Sequence, residues 1–299
     1  MIVNNPDSDL CSGICWSPTN DIYSVGDDKQ ILTTSKGSQA ESHVFNSPDA
    51  EAYPTCIEWF PSTTKLQSAI FSVAASDGCV YFISSINGFK AEKKINAHKG
   101  AILALKWNNE STAFLTSGED GAIKIWSKSG MLRSTLVAEG GPAVISCGWA
   151  PNNDSVVYSI DNYVVVKSLL PSVSPVQWKA HDDLILKVDW NPMNGLIATS
   201  SEDGRYRVWD TFGRMLFSSV AEKYAITYIS WCPNGEMFAV ATFNQITVCD
   251  KLGCIYASVS NDYGSVFDIA WKSDGTSLAC ATGSGKVFVA ALLDMYSNK

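Results

Sequence analysis

The chain has 299 residues, 46% of them hydrophobic and only 17% charged, which is enough apolar material to bury a large core as one domain or a repeat array. Thirty acidic against 22 basic side chains leave a net charge of −8, a surface that repels phosphate polyanions and argues against nucleic-acid binding. No stretch approaches the roughly 18 unbroken apolar residues a membrane helix needs. The opening Met-Ile-Val-Asn-Asn-Pro has no basic start followed by an apolar run, so the expectation is a soluble protein of the cytosolic side, with no direct membrane insertion. Nine cysteines, an odd number without a Cys-x-x-Cys pair, mostly sit in apolar runs where a reduced thiol packs as a small hydrophobe.

The predicted elements follow a rhythm set by tryptophan. Trp16, Trp59, Trp107, Trp149, Trp190, Trp231 and Trp271 are separated by 43, 48, 42, 41, 41 and 40 residues. Each closes an alternating apolar segment, from Ile14-Cys15-Trp16 through Cys56-Ile57-Glu58-Trp59 to Phe267-Asp268-Ile269-Ala270-Trp271, and alternation is strand periodicity. A polar turn comes next, as in Ser17-Pro18, Ala150-Pro151 and Cys232-Pro233, because proline ends strand pairing. A second strand follows, as in Phe114-Leu115-Thr116-Ser117. Asp77-Gly78, Asp120-Gly121, Asp203-Gly204 and Ser284-Gly285 then supply the positive φ angles of a hairpin. A third strand returns, as in Ile123-Lys124-Ile125-Trp126 and Val287-Phe288-Val289-Ala290. The fourth is weaker and more polar, which suits an outer edge. Four short strands repeated seven times predict an all-β fold, a seven-bladed WD40-type β-propeller filling residues 1–299 as a single domain. The seventh repeat stops after three strands, so residues Met1 to Val3 are expected to supply its outer strand. That piece is short, which predicts a weak closure and a chain cut from the front of a longer protein.

Repeats three and five carry a fuller motif: His98, Ser117, Asp120 and Trp126 in one, His181, Ser200, Asp203 and Trp209 in the other. The His-to-Asp, Ser-to-Asp and Asp-to-Trp spacings are 22, 3 and 6 in both. Ser, His and Asp invite comparison with a nucleophilic triad. Duplication in two blades favours a structural hydrogen-bond chain that ties loop, turn and strand together. The other five repeats lack the histidine, which predicts blades held by packing alone. With three histidines in all, acid–base catalysis has few players, no Cys/His cluster has metal-ligand spacing, and Gly283-Ser284-Gly285-Lys286 lacks the spacing of a phosphate loop. The expectation is a protein that is not an enzyme and takes no cofactor and no metal.

Charge is concentrated once. Residues 90–133 hold eight basic and four acidic side chains, whereas residues 1–89 hold three and ten, and residues 134–299 hold 11 and 16. Lys90, Lys93, Lys94, Lys99, Lys106, Lys124, Lys128 and Arg133 form this island. A solvated face is one reading; a docking patch for an acidic partner, with complementary charge setting orientation, is the sharper one. Trp178 falls outside the rhythm on a predicted outer strand, where it packs on its own blade or anchors an interface.

The strings themselves carry a likeness. Ser117-Gly-Glu-Asp-Gly-Ala-Ile-Lys-Ile-Trp-Ser-Lys-Ser-Gly-Met-Leu-Arg-Ser-Thr-Leu136, Gln177-Trp-Lys-Ala-His-Asp-Asp-Leu-Ile-Leu-Lys-Val-Asp-Trp-Asn191 and Val208-Trp-Asp-Thr-Phe-Gly-Arg214 resemble the intraflagellar transport protein eighty family, WD-repeat subunits of complex B of the ciliary transport trains. The resemblance implies a non-enzymatic scaffold needed to assemble and maintain cilia, found at the cilium or flagellum, the basal body and in the cytoplasm. It implies partners among the protein subunits of complex B, including a calponin-homology-domain subunit. A propeller of a vesicle coat or another trafficking complex is the alternative, and a hydrolase or small-ligand propeller a more distant one that would need convergent ionisable residues at the channel mouth.

Overall fold

The computed structural model describes residues 2–4, 10–35, 40–45, 51–60, 69–86, 88–260, 262 and 264–296; Met1 lies outside them. Seven antiparallel four-stranded sheets are present among these residues. Their inner strands are Cys11–Trp16, Pro54–Trp59, Ile102–Trp107, Cys147–Trp149, Ile185–Trp190, Tyr228–Trp231 and Val266–Trp271, so each rhythmic tryptophan ends the innermost strand of a blade. Each inner strand lies against the one before and the one after, and Val266–Trp271 against Cys11–Trp16 completes the circle.

Burial follows from the ring. A blade is covered on both faces by its neighbours, so strands in the middle of a blade lose the alternation of a half-exposed sheet. Cys79–Ser84 and Ala113–Gly118 are buried at every position, whereas the outer strand Leu132–Val137 is exposed over most of its length. The core is accordingly a set of wedges between blades. One wedge joins Phe82 of blade 2 to Trp107, Phe114 and Trp126 of blade 3, with aromatic pairs such as Trp107–Phe114 at 4.9 Å.

The hairpin chemistry is visible in the backbone. Gly121 has φ 75°, and a Cβ there would stand 2.5 Å from the carbonyl oxygen of Gly141, so only glycine fits. Where the glycine is missing, Asp161 and Asn244 take φ of 50° and 59°, which short polar side chains tolerate best among the non-glycine residues.

Blade 7 is built from Val266–Trp271, Ser277–Thr282 and Lys286–Ala291, with Ile2–Asn4 as its outer strand. The register runs Ile2↔Phe288, Val3↔Val287 and Asn4↔Lys286, one residue later than expected. Gly283-Ser284-Gly285 is the hairpin turn between Ser277–Thr282 and Lys286–Ala291. A short helix, Leu292–Tyr296, follows; its Met295 is 1% exposed in the wedge between blades 6 and 7, an apolar seal that the strand pattern did not announce.

Candidate functional site

The two signature blades contain a relay that differs from the expected one at a single place. In blade 3 the indole N–H of Trp126 donates to Thr116 Oγ1 at 2.9 Å, and that hydroxyl faces His98 Nε2 at 2.7 Å. His98 Nδ1 meets Asp120 at 2.8 Å, and Asp120 also accepts the backbone N–H groups of Lys99 and Ala122. Blade 5 repeats the arrangement with Trp209, Thr199, His181 and Asp203. The hydroxyl in the chain is therefore a threonine. Ser117 and Ser200 do not take part: neighbouring residues of a strand face opposite sides, so Ser117 Oγ instead accepts the thiol of Cys147 in blade 4 at 3.4 Å, and Ser200 Oγ is buried without a partner. Every donor in the relay has an acceptor when each imidazole is neutral, with its proton on Nδ1. Burial accordingly pulls the pKa of both histidines below the ordinary value of 6.5, against the opposing pull of their carboxylates.

The blades that lack the relay are not held by packing alone. Polar side chains near the axis tie each inner strand to the next. Ser12 Oγ donates to Pro54 O, Thr55 Oγ1 to Ile102 O, Ser146 Oγ to Val188 O and Thr227 Oγ1 to Val266 O, at 2.6 to 3.2 Å. Carboxylates accept backbone N–H groups across three junctions: Glu58 from Trp107, Asp189 from Trp231 and Asp268 from Ile14, at 2.7 to 3.0 Å. Four rhythmic indoles donate backwards, Trp149 to Lys106 O, Trp231 to Asp189 O, Trp271 to Ser230 O and Trp16 to Ala270 O. Each of the seven junctions, the one between blades 7 and 1 included, carries at least one such tie. Closure thus has two inner hydrogen bonds, from Asp268 and Trp16, besides the short outer strand.

The same inner strands shape the channel. Five of them carry a register irregularity at their second residue, which falls at Ser12, Thr55, Leu103, Leu186 and Phe267, and a bulge re-aims the side chain it holds. Together with Ile145 and Thr227 these residues ring one mouth of the channel, a cavity of about 270 Å³. Glu58, Lys106, Lys187, Tyr228 and Asp268 line it below. Ionisable groups therefore converge at the channel once the inner strands are brought together. Glu58 pairs with Lys106, and burial raises the pKa of the Asp189 carboxyl above the ordinary carboxylate value.

The basic island is dispersed by the fold. Lys106 stands in the channel, and Lys94 pairs with Asp77 at 3.3 Å. Lys99 and Lys124 share Glu139, at 2.7 and 3.1 Å; Lys124 also donates to Ala97 O, the place Arg207 takes against Ala180 O in blade 5. Lys90, Lys93, Lys128 and Arg133 are exposed. The Lys93 ammonium reaches across to the Ser129 carbonyl of blade 3, where the outer edges of blades 2 and 3 adjoin. Trp178 packs on the neighbouring blade, 5.9 Å from Trp209, with its ring where a Cβ on Gly213 would intrude. It is a wedge residue between blades 4 and 5.

Comparison with known proteins gives these sites a context. Residues 89–127 and 173–210 match the family "WD domain, G-beta repeat", the stretches that contain the two relays. The chain is 42% identical over 290 residues, 96% of its length, to the "Intraflagellar transport protein 80 homolog" of Mus musculus and equally to that of Rattus norvegicus. It spans 37% of the length of these relatives. At 22% identity over 76% of the chain, and 24% of the relative, it is also similar to the "GATOR2 complex protein WDR24" of Dictyostelium discoideum. Repeats, ring and relays together make the chain a seven-bladed WD-repeat propeller, similar over 96% of its length to the intraflagellar transport protein 80 homologs.

Proposed function

We propose that this propeller is a non-catalytic docking module of an intraflagellar transport assembly, holding protein subunits of complex B together at the cilium or flagellum and its basal body and in the cytoplasm. The observation that carries the reading is the 42% identity sustained over 96% of the chain, far beyond what the repeat pattern alone requires. The mechanism is rigid presentation. Blades tied at every junction lose little freedom when a partner docks, so each contact contributes to affinity with a small ordering cost. Lys90, Lys93, Lys128 and Arg133, left without carboxylate partners among the described residues, are the docking residues we assign to an acidic partner surface, with the calponin-homology-domain subunit as the candidate.

The experiment is capture from a ciliated-cell extract at low salt, with the tagged chain and a variant carrying Lys90→Glu, Lys93→Glu, Lys128→Glu and Arg133→Glu. The wild-type chain is expected to recover intraflagellar transport subunits and the variant to lose at least one of them while melting at the same temperature. Recovery of vesicle-coat subunits in their place would favour the trafficking alternative. Equal recovery by both chains would remove the four residues from the interface.

A further inference from the structure

The channel contains one cation that the fold leaves without an acceptor. Lys187 is 8% exposed, yet its ammonium makes no ion pair or hydrogen bond among the described residues; it lies over the Tyr228 ring, 4.5 Å from the centroid. Asp189 accepts the Trp231 N–H, Asp268 the Ile14 N–H, and Glu58 the Trp107 N–H beside its pair with Lys106, and none of the three is within ion-pair distance of Lys187. Burial and the charge of Lys106 pull the Lys187 ammonium below its ordinary pKa, against the opposing charges of Asp268 and Asp189. Lys187 faces the 270 Å³ cavity, and the mouth above it is ringed by half-buried Leu103, Ile145 and Leu186 and by Phe267, which is 44% exposed.

We propose that this mouth receives the carboxylate of a Glu or Asp side chain presented by a protein partner, with Lys187 as its counter-charge and the apolar collar covering the residues on either side. The assignment rests on the docking reading above and names a recognition element for it. An ammonium with no protein acceptor calls for an anionic one, and a charge-assisted bond to it strengthens when the partner covers the mouth and excludes water. The collar selects the source. A free inorganic anion would leave Leu103, Ile145, Leu186 and Phe267 unused, whereas an acidic side chain flanked by apolar neighbours would cover them. The bulges matter here because they turn Leu103, Leu186 and Phe267 toward the axis.

The test is a titration of the ¹⁵N-labelled chain with the blocked tripeptide Leu-Glu-Leu, its Leu-Gln-Leu counterpart and sodium acetate, followed by amide shifts. Leu-Glu-Leu is expected to shift the amides of Leu186, Lys187, Tyr228 and Phe267 and to bind about ten-fold or more tighter than Leu-Gln-Leu, a preference that Lys187→Met abolishes. Equal binding of the two peptides, absence of shifts at the channel, or a preference that survives Lys187→Met would overturn the proposal. Acetate binding as tightly as Leu-Glu-Leu would overturn the assignment to a protein side chain. The comparison of the two peptides needs no variant, so it stands even if Lys187→Met does not fold. It also uses no transport subunit. Subunit capture without peptide discrimination would drop the channel and keep the docking role; discrimination without capture would do the reverse.

Discussion

Thr116 and Thr199 hold the relays together, and their role separates two neighbouring hydroxyls. Thr116→Val keeps the shape but strands the Trp126 N–H and His98 Nε2, so it should cost on the order of 1–3 kcal/mol in urea denaturation. Ser200→Ala, which removes a hydroxyl that has no partner, should be close to neutral. The histidines make the relay sensitive to acid. Their folded pKa lies below the ordinary 6.5, so the unfolded chain takes up protons first and stability falls as pH drops below about 6.5. A lower melting temperature at pH 5 than at pH 7 is expected, and His98→Gln should reduce that difference, leaving the share of His181, while lowering stability at pH 7. The sequence made the His, Asp and Trp members legible through their matched spacings. It left Thr and Ser indistinguishable, because choosing between adjacent hydroxyls depends on which face of the strand meets the histidine.

Within the blades, the inner strand was legible because Trp and alternation mark its end seven times. The ties between strands were not, since their partners lie 39 to 49 residues away, or 254 at the closure. Glu58 and Asp189, each directly before a rhythmic Trp, were the available signal. The indoles allow a test at this scale. Trp271 donates to Ser230 O, whereas the Trp190 N–H has no partner, and the two rings are almost equally buried at 9% and 8% exposed. Trp271→Phe should therefore destabilise by about 1 kcal/mol more than Trp190→Phe, read as a shift in denaturant midpoint. Equal shifts would show that packing, not the tie, is what the tryptophans supply. The basic island illustrates the opposite failure: eight residues clustered in sequence separate into channel, relay face and blade edge once strands run up and down.

For the whole molecule, the ring explains both the stability of the two-ended closure and the rigidity that a docking module needs. Seven junctions, each with its own polar tie, distribute the load so that the three-residue outer strand Ile2–Asn4 is not the sole clasp. Deleting residues 1–4 should lower the melting temperature yet leave a folded ring, checked by near-ultraviolet circular dichroism of the tryptophans; complete loss of that signal would mean the outer strand alone closes the propeller. The overall architecture was legible from the chain because periodicity is a property of the whole sequence, while the convergence of Glu58, Lys106, Lys187 and Asp268 arises only when seven inner strands are brought to one axis. The most direct test of the docking role is size-exclusion chromatography of the purified chain mixed with purified intraflagellar transport complex B lacking its own WD-repeat subunit of this kind. Co-elution at low salt that weakens as salt is raised is the predicted result, and separate elution at every salt concentration would contradict it.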